Sequence, residues 1–281
     1  MRKKGENTYF IDKDDESELA RLIVQDNAYN TLLALLPKEF EPPPEARILD
    51  LACGPGGWAL QVSRELPELS VIGVDLSEQM IMYARAQAHV RNLKTQFRIM
   101  DILQLPWEDF PDQSFDFVNA RFLTSLVPGQ LLPKLYQECW RVLHSGGILR
   151  YTEGVGISAP TAPATQKLAL YANEAAYKAG LSFSPYDMGT SAVTAQILKR
   201  IGFQNLSFTP YVIDLSPGSL MHRPMKENWY MSIGLLKPFL LRMKVSSEEE
   251  IDCLQEDFAR EWDDVNFCGL YYLCSVAAIK P

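Results

Sequence analysis

The chain has 281 residues, 47% of them hydrophobic and 22% charged, a balance ordinary for a globular α/β domain with insertions. A formal net charge of -8 argues against a nucleic-acid phosphate backbone as the main partner. Five cysteines, Cys53, Cys139, Cys253, Cys268 and Cys274, are scattered without CxxC or Cys/His spacing, which reads as reduced thiols and leads us to expect a cytoplasmic protein.

The first residues, Met1 to Asn7, are basic with no apolar segment behind them, so no secretory signal is expected. Tyr9-Phe10-Ile11 forms an aromatic island before a charged run. From Ser17 to Leu36 apolar residues recur among polar ones, and the pattern predicts one long helix or a helix pair that ends at Pro37. Pro42-Pro43-Pro44 is a stiff linker, so residues 1–44 read as a helical N-terminal cap.

Arg47 to Ala52 is a short apolar run that contains Asp50 and breaks into Cys53-Gly54-Pro55-Gly56-Gly57. Helical spacing resumes from Trp58 to Leu66. Strand, glycine turn and helix start follow one another here, and glycines let a ligand approach the main chain with no Cβ in the way. A second apolar run, Val71 to Val74, ends in Asp75, where nucleotide-binding α/β units place an acid against ribose hydroxyls. Together these signals place an adenosine-containing molecule across the ends of the first two strands.

The alternation continues with a helix over Glu78 to Val90 and a strand over Thr95 to Met100 that runs into Asp101-Ile102. A fourth strand covers Phe115 to Ala120, and a helix over Leu131 to Leu143 is ended by Gly146-Gly147. Ile148 to Thr152 is strand five. Strands alternating with helices imply a parallel sheet covered on both faces. Beyond Glu153 the rhythm changes to a helix over Thr165 to Ala179 and a short helix over Gln196 to Ile201. A strand follows over Leu206 to Leu215, then an insertion holding an acidic helix, Glu248 to Asp264, and a last strand over Gly269 to Ile279. The expected fold is α/β: a Rossmann-like, seven-stranded, mostly parallel sheet with a helical N-terminal cap and helical insertions. Residues 45–153 form the ligand-binding core. Residues 154–281 complete the sheet and carry two lid insertions, roughly 154–190 and 216–265. The apolar stretch Trp229 to Met243 contains Lys237, Pro238 and Arg242 and is too short and charged to span a bilayer. It reads as lid, as a homodimer contact, or as plain core.

These landmarks resemble the class I S-adenosylmethionine-dependent methyltransferases, in particular the small-molecule type with a helical cap. The resemblance covers Arg47 to Glu153 strongly and the rest more weakly. It implies S-adenosyl-L-methionine as cofactor. Asp50, Ala52, Cys53, Gly54 and Gly56 would hold its methionine part, and Asp75 its ribose hydroxyls. Leu76 would lie against the adenine, Met80 would count among the cofactor contacts, and Asp101-Ile102 would read the adenine edge. Asn119-Ala120-Arg121 would end the fourth strand beside the sulfonium. Ser145-Gly146-Gly147-Ile148-Leu149 resembles the glycine turn before strand five. Tyr9 and Gln25 of the cap are further candidates for that pocket. A reversed last strand is implied in the same way.

Methyl transfer asks little of the protein, because the sulfonium is already a good leaving group and the acceptor must mainly be held in line and kept dry. Glu153 at the end of strand five and His222 in the second insertion are the candidate bases. Three histidines and no clustered ligand spacing give no metal site. The expected partner is a small, partly apolar acceptor, with no nucleic acid and no membrane. The alternatives are an NAD(P)-dependent oxidoreductase on the same fold and a non-catalytic cofactor-binding scaffold. An acid-apolar pair after strand three speaks against the first, and the acids at Asp50, Asp75 and Asp101 against the second.

Overall fold

A computed structural model describes residues 16–281. Tyr9 and the aromatic island therefore lie outside the described residues. Seven strands form one sheet in the order β3-β2-β1-β4-β5-β7-β6. β1 (Arg47–Leu51), β2 (Ser70–Asp75), β3 (Gln96–Ile99), β4 (Phe115–Arg121) and β5 (Leu143–Ser158) are parallel, whereas β7 (Leu270–Ile279) runs antiparallel to β5 and to β6 (Gln204–Asp214). The fold class expected from the sequence is the one found, including the reversed last strand.

Alternation along the strands divides the core. In β2, Val71 packs on the face covered by α2 (Gly57–Glu65) and α3 (Glu78–Val90), with Ala59, Val62, Ile81 and Ala84. Ile72 and Val74 point to the other face, against α4 (Leu132–Val142) and α6 (Thr190–Ile201), through Leu135, Cys139 and Leu198. This period of two, on strands buried on both sides, is why the strands read as nearly unbroken apolar runs. A third apolar cluster lies over the carboxyl edge of the sheet. It joins α1 (Glu16–Leu32), α5 (Pro163–Lys178), α7 (His222–Arg242) and α8 (Glu248–Asp263) through Tyr29, Leu168, Met225, Phe239, Phe258 and Trp262.

Several boundaries differ from the sequence expectations. α4 stops at Val142, before the glycines predicted to end it, because Leu143 already pairs with Phe115. The register then jumps to Phe117 opposite Ile148, so Gly146, with φ 83°, belongs to an irregularity in β5 and not to a helix cap. α6 begins at Thr190, earlier than expected. α1 ends at Leu32, and the Leu33–Leu36 segment predicted as helical is not helical. There the chain is tied to the core: the Trp58 indole donates to the Leu35 carbonyl at 2.8 Å and Arg150 to the Ala34 carbonyl at 2.9 Å. Leu35 and Leu36 pack with the α2–α3 face. The cap's C-terminal end is scaffold, and only α1 itself lies over the edge.

Candidate active site

Chain order reverses between β1 and β4, which are neighbours in the sheet. Such a switch point leaves a crevice beyond the carboxyl ends of the strands. A cavity of about 350 Å³ lies there, floored by strand ends and roofed by α1, α5 and α7.

The floor begins with the turn after β1. Ala52 (φ 51°), Gly54 (φ 54°) and Gly56 (φ 80°) all take left-handed backbone, which folds the chain sharply back into α2. A Cβ on Gly56 would also come within 2.6 Å of the Phe97 ring, so this second glycine serves close packing against β3. Asp75 closes the turn from the neighbouring strand: Gly54 N donates to one carboxylate oxygen and Ser77 N to the other, each at 2.9 Å. Ser77 in turn accepts from Met80 N as the N-cap of α3. Asp101 accepts from Leu103 N at 2.9 Å, which fixes the loop after β3. Asp50, Ala52, Cys53, Gly54, Asp75, Leu76, Met80, Asp101, Ile102 and Arg121 all line this one cavity, and so does Gln25 from α1.

Three expected positions lie behind the wall. Gly56 is spent on packing. Ala120 is fully buried in the core between β4 and its helices. Asn119 is also fully buried; its amide donates to Asp50 at 2.7 Å and its carbonyl accepts from Arg150 Nε at 2.9 Å. A buried relay thus runs from Asp50 through Asn119 to Arg150. Burial pushes the Asp50 carboxyl up to about 7, against the opposing pull of Arg121 and the Asn119 amide. Burial likewise draws the Arg150 guanidinium down to about 9. The Cys53 thiol is held well above its ordinary value by burial and by the carboxylates of Asp75, Asp50 and Asp26, so it is inert.

The cap is attached through polar groups that apolar periodicity does not register. Asp26 accepts from Gly57 N at 3.0 Å, on the first residue of α2, and pairs with Arg121 at 3.2 Å. An acid there suits the positive end of the α2 dipole. A Cβ at Gly57 would meet the Asp26 carboxylate at 2.5 Å, which explains the fourth residue of the Gly-Pro-Gly-Gly run. Burial raises the Asp26 carboxyl, and Arg121 and the Gly57 N–H counter it. Arg121 also donates to Asn30 at 2.8 Å. Arg21 is gripped by both oxygens of Glu18 at 2.7 Å and donates to Gln25 at 2.8 Å and to Asn228 of α7 at 3.0 Å, tying one roof helix to the other. Glu18, Arg21 and Gln25 recur at i, i+3 and i+7. That polar stripe at helical spacing was the available signal.

The two candidate bases part company. Glu153 lines the cavity and is 4% exposed. One oxygen accepts from Thr124 N at 3.0 Å, Thr124 Oγ1 at 2.7 Å and Tyr151 OH at 3.0 Å, and the other from Gly154 N at 3.0 Å. Burial raises its pKa while those four donors favour the carboxylate. His222 is not among the residues lining the cavity. Its Nδ1 lies 2.6 Å from the Leu215 carbonyl, and its ring stacks on Trp262 at 5.4 Å. It is part of the packing under α7 and α8. Of the aromatic residues in the insertions, Trp229 and Phe239 reach the cavity, joined by Tyr29 from α1 and Tyr271 from β7. Tyr186 and Tyr230 are exposed. No group of three or more His, Cys, Asp or Glu side chains suited to a metal ion occurs among the described residues, and none of their helices is long and apolar enough to cross a membrane.

Residues 48–147 match a family described as "Methyltransferase domain". The core of the sheet is thus similar to a methyltransferase domain. Demethylmenaquinone methyltransferases of Deinococcus radiodurans and Thermus thermophilus are 35% and 38% identical over 107 and 104 residues. Each match takes in 37% of this chain, and the chain spans only 41% and 44% of the lengths of those two relatives. A phosphoethanolamine N-methyltransferase from Haemonchus contortus, solved with phosphomonomethylethanolamine and S-adenosylhomocysteine, superimposes with a TM-score of 0.58 at 19% identity. That match covers 97% of this chain and 60% of the other, and it extends the methyltransferase fold to the sheet's second half.

Proposed function

We propose that this methyltransferase domain transfers the methyl group of S-adenosyl-L-methionine to a small, partly apolar acceptor by direct in-line displacement. The observation that carries the reading is the convergence of the Gly54 turn, Asp75 and the Asp101-Ile102 pair on one cavity at the switch point. In this reading the turn after β1 holds the methionine part, and the Asp75 carboxylate accepts ribose hydroxyls while it braces Gly54 and Ser77. Ile102, Leu76 and Met80 enclose the adenine, whose edge is read at Asp101. Gln25 closes the cofactor end from the cap. Asn119 acts through Asp50, as a positioning residue.

The sulfonium brings the reactivity. What the chain adds is orientation and dryness: the roof helices close the crevice over the reacting atoms, in a setting that strengthens every polar contact inside. Trp229, Leu236 and Phe239 on α7, with Ala172 and Ala176 on α5, form the apolar part of the roof. The relatives' acceptors do not transfer to this chain on matches of that extent. The test is calorimetry with S-adenosylhomocysteine and with NAD. Binding of the first and not the second is expected, and the reverse preference would replace this reading with an oxidoreductase.

A further inference from the structure

The walls of the cavity away from Asp75 and Asp101 carry an unbalanced charge. The cations lining it, among the described residues, are Arg21 and Arg121. Both are committed. Arg21 is clasped by both oxygens of the fully buried Glu18 and by Gln25 and Asn228. Arg121 is paired with Asp26 and bonded to Asn30. Neither guanidinium offers the planar fork that a phosphate or carboxylate ligand needs. Glu153 also lines the cavity, more than nine-tenths buried, with one oxygen filled by three donors and the other met, among the described residues, by Gly154 N alone. An ionised carboxylate can only accept, and each oxygen has two lone pairs. A ligand O–H or N–H at the second oxygen would complete its bonding; an anionic group there would meet a like charge in a dry site.

The remaining surface is largely aromatic and aliphatic, with Ser125, Asn228 and Ser232 as its polar members. Tyr29 stacks on Phe122 with centroids 4.8 Å apart, and Trp229 stands edge-on to Tyr271 at 5.2 Å. The Tyr29 and Tyr271 hydroxyls bond each other, and the Tyr271 hydroxyl sits so close above Gly154 that any Cβ there would collide with it. Gly154 therefore makes room for the Tyr271 hydroxyl beside Glu153. Leu126, Met188, Leu236 and Phe239 complete an apolar surround.

We propose that the methyl acceptor is an uncharged or cationic, largely apolar molecule that presents an O–H or N–H to Glu153, and that acceptors bearing phosphate or carboxylate at that place are excluded. This inference rests on the methyl-transfer reading and names the class of its acceptor. Glu153 becomes an acceptor-binding and specificity residue, whose carboxylate is oriented by Thr124, Tyr151 and Gly154.

A matched pair of probes tests it: 1-naphthol and 1-naphthyl phosphate, titrated by calorimetry into the full chain with and without saturating S-adenosylhomocysteine. Naphthol should bind at least about tenfold more tightly than its phosphate, since like charges brought together in a desolvated site repel. Glu153→Gln removes the charge while keeping an amide oxygen, and should bring the two probes within about threefold of each other with S-adenosylhomocysteine affinity within about twofold of the parent. Equal or tighter binding of the phosphate by the parent chain overturns the proposal, as does binding of neither probe. An unchanged preference in a folded Glu153→Gln protein does the same. If Glu153→Gln fails to fold, the parent's preference decides alone. Should S-adenosylhomocysteine not bind at all, methyl transfer falls, while the naphthol preference measured without it still judges the acceptor wall.

Discussion

The two ends of the cavity are built on different plans. The cofactor end comes from contiguous strand-turn-helix units between residues 47 and 103, in which backbone N–H groups and one acid per strand do the holding. The acceptor end is assembled from α1, α5, α7 and β7, which meet only in the folded chain. In the proposed reading, the cofactor would be gripped by local geometry and the acceptor by long-range packing. The polar bridge between the two ends, Asp26 with Arg121 and Gly57 N, is where breaking the molecule should cost most. Arg121→Ala leaves a mostly buried Asp26 carboxylate without its counter-charge, and removing one partner of such a pair costs about 3–5 kcal/mol. The slightly exposed site places the loss near the lower figure. Urea unfolding should show it, and adding Asp26→Ala to Arg121→Ala should recover part. A double variant no better than the single would mean that the cap is held by its apolar face alone.

The same contrast explains what the sequence revealed. The Gly54 turn, Asp75 and Asp101-Ile102 were legible because each is a short motif with a fixed place on a strand end, and all three reach the cavity. Asn119 and Ala120 were placed one layer too shallow. In a strand buried on both faces nothing in the local pattern tells which residue at its end points to the ligand. Apolar periodicity does not register the cap's attachment, because Glu18, Arg21 and Asp26 are charged positions between the apolar ones, yet Glu18 is fully buried. Glu18 and Arg21 satisfy each other on one helix and Asp26 reaches across to Gly57 N and Arg121, contacts invisible to a count of apolar positions. His222 looked like a base by residue type alone and proved to be packing beside Trp262.

At the cofactor end, Asp75→Ala should weaken S-adenosylhomocysteine binding by about 1.5–3 kcal/mol, the worth of hydrogen bonds to a charged acceptor. Calorimetry measures it. Because Asp75 also braces Gly54 N and Ser77 N, part of the loss will come from a looser turn, and Asp75→Asn should fall between parent and alanine. Affinity unchanged in both variants would remove ribose recognition from β2.

At the acceptor end, Phe239 and Tyr230 sit on the same helix but face opposite ways: Phe239 is 3% exposed and lines the cavity, Tyr230 is 44% exposed. Phe239→Leu should change kcat/KM for any acceptor that consumes the cofactor by about 1–3 kcal/mol, the scale of a reshaped apolar pocket. It should leave S-adenosylhomocysteine affinity within about twofold. Tyr230→Ala should alter neither quantity. If Tyr230→Ala shifts acceptor kinetics as much as Phe239→Leu, then α7 acts as a moving whole and not through the side chains at the wall. Slowed hydrogen exchange across all of α7 on ligand addition would then be the accompanying sign.

The smallest expected effect lies where the two ends meet, at Asp50. Its carboxyl titrates near 7 in the folded chain, against an ordinary value of 3.8. The folded state therefore binds a proton that the unfolded chain has lost, and this group's contribution to stability falls as pH rises from about 4 to about 7, then levels off. The sulfonium of S-adenosylmethionine is a cation, whereas the thioether of S-adenosylhomocysteine is neutral. A cation bound at this end of the cavity favours ionised Asp50, so below pH 7 its binding should release a proton that the neutral product does not. The ratio of the two affinities should then rise by about three- to tenfold between pH 6 and pH 8 in favour of the cationic form. Proton release read by calorimetry in buffers of differing ionisation heat is the direct measure. Asp26 and Glu153 are also buried carboxyls with raised values, so Asp50→Asn is the needed control. It should flatten the ratio if Asp50 is the responsive group. A ratio already flat in the parent would place the sulfonium away from Asp50, and the turn after β1 would then hold its ligand by backbone contacts without help from the acid behind it.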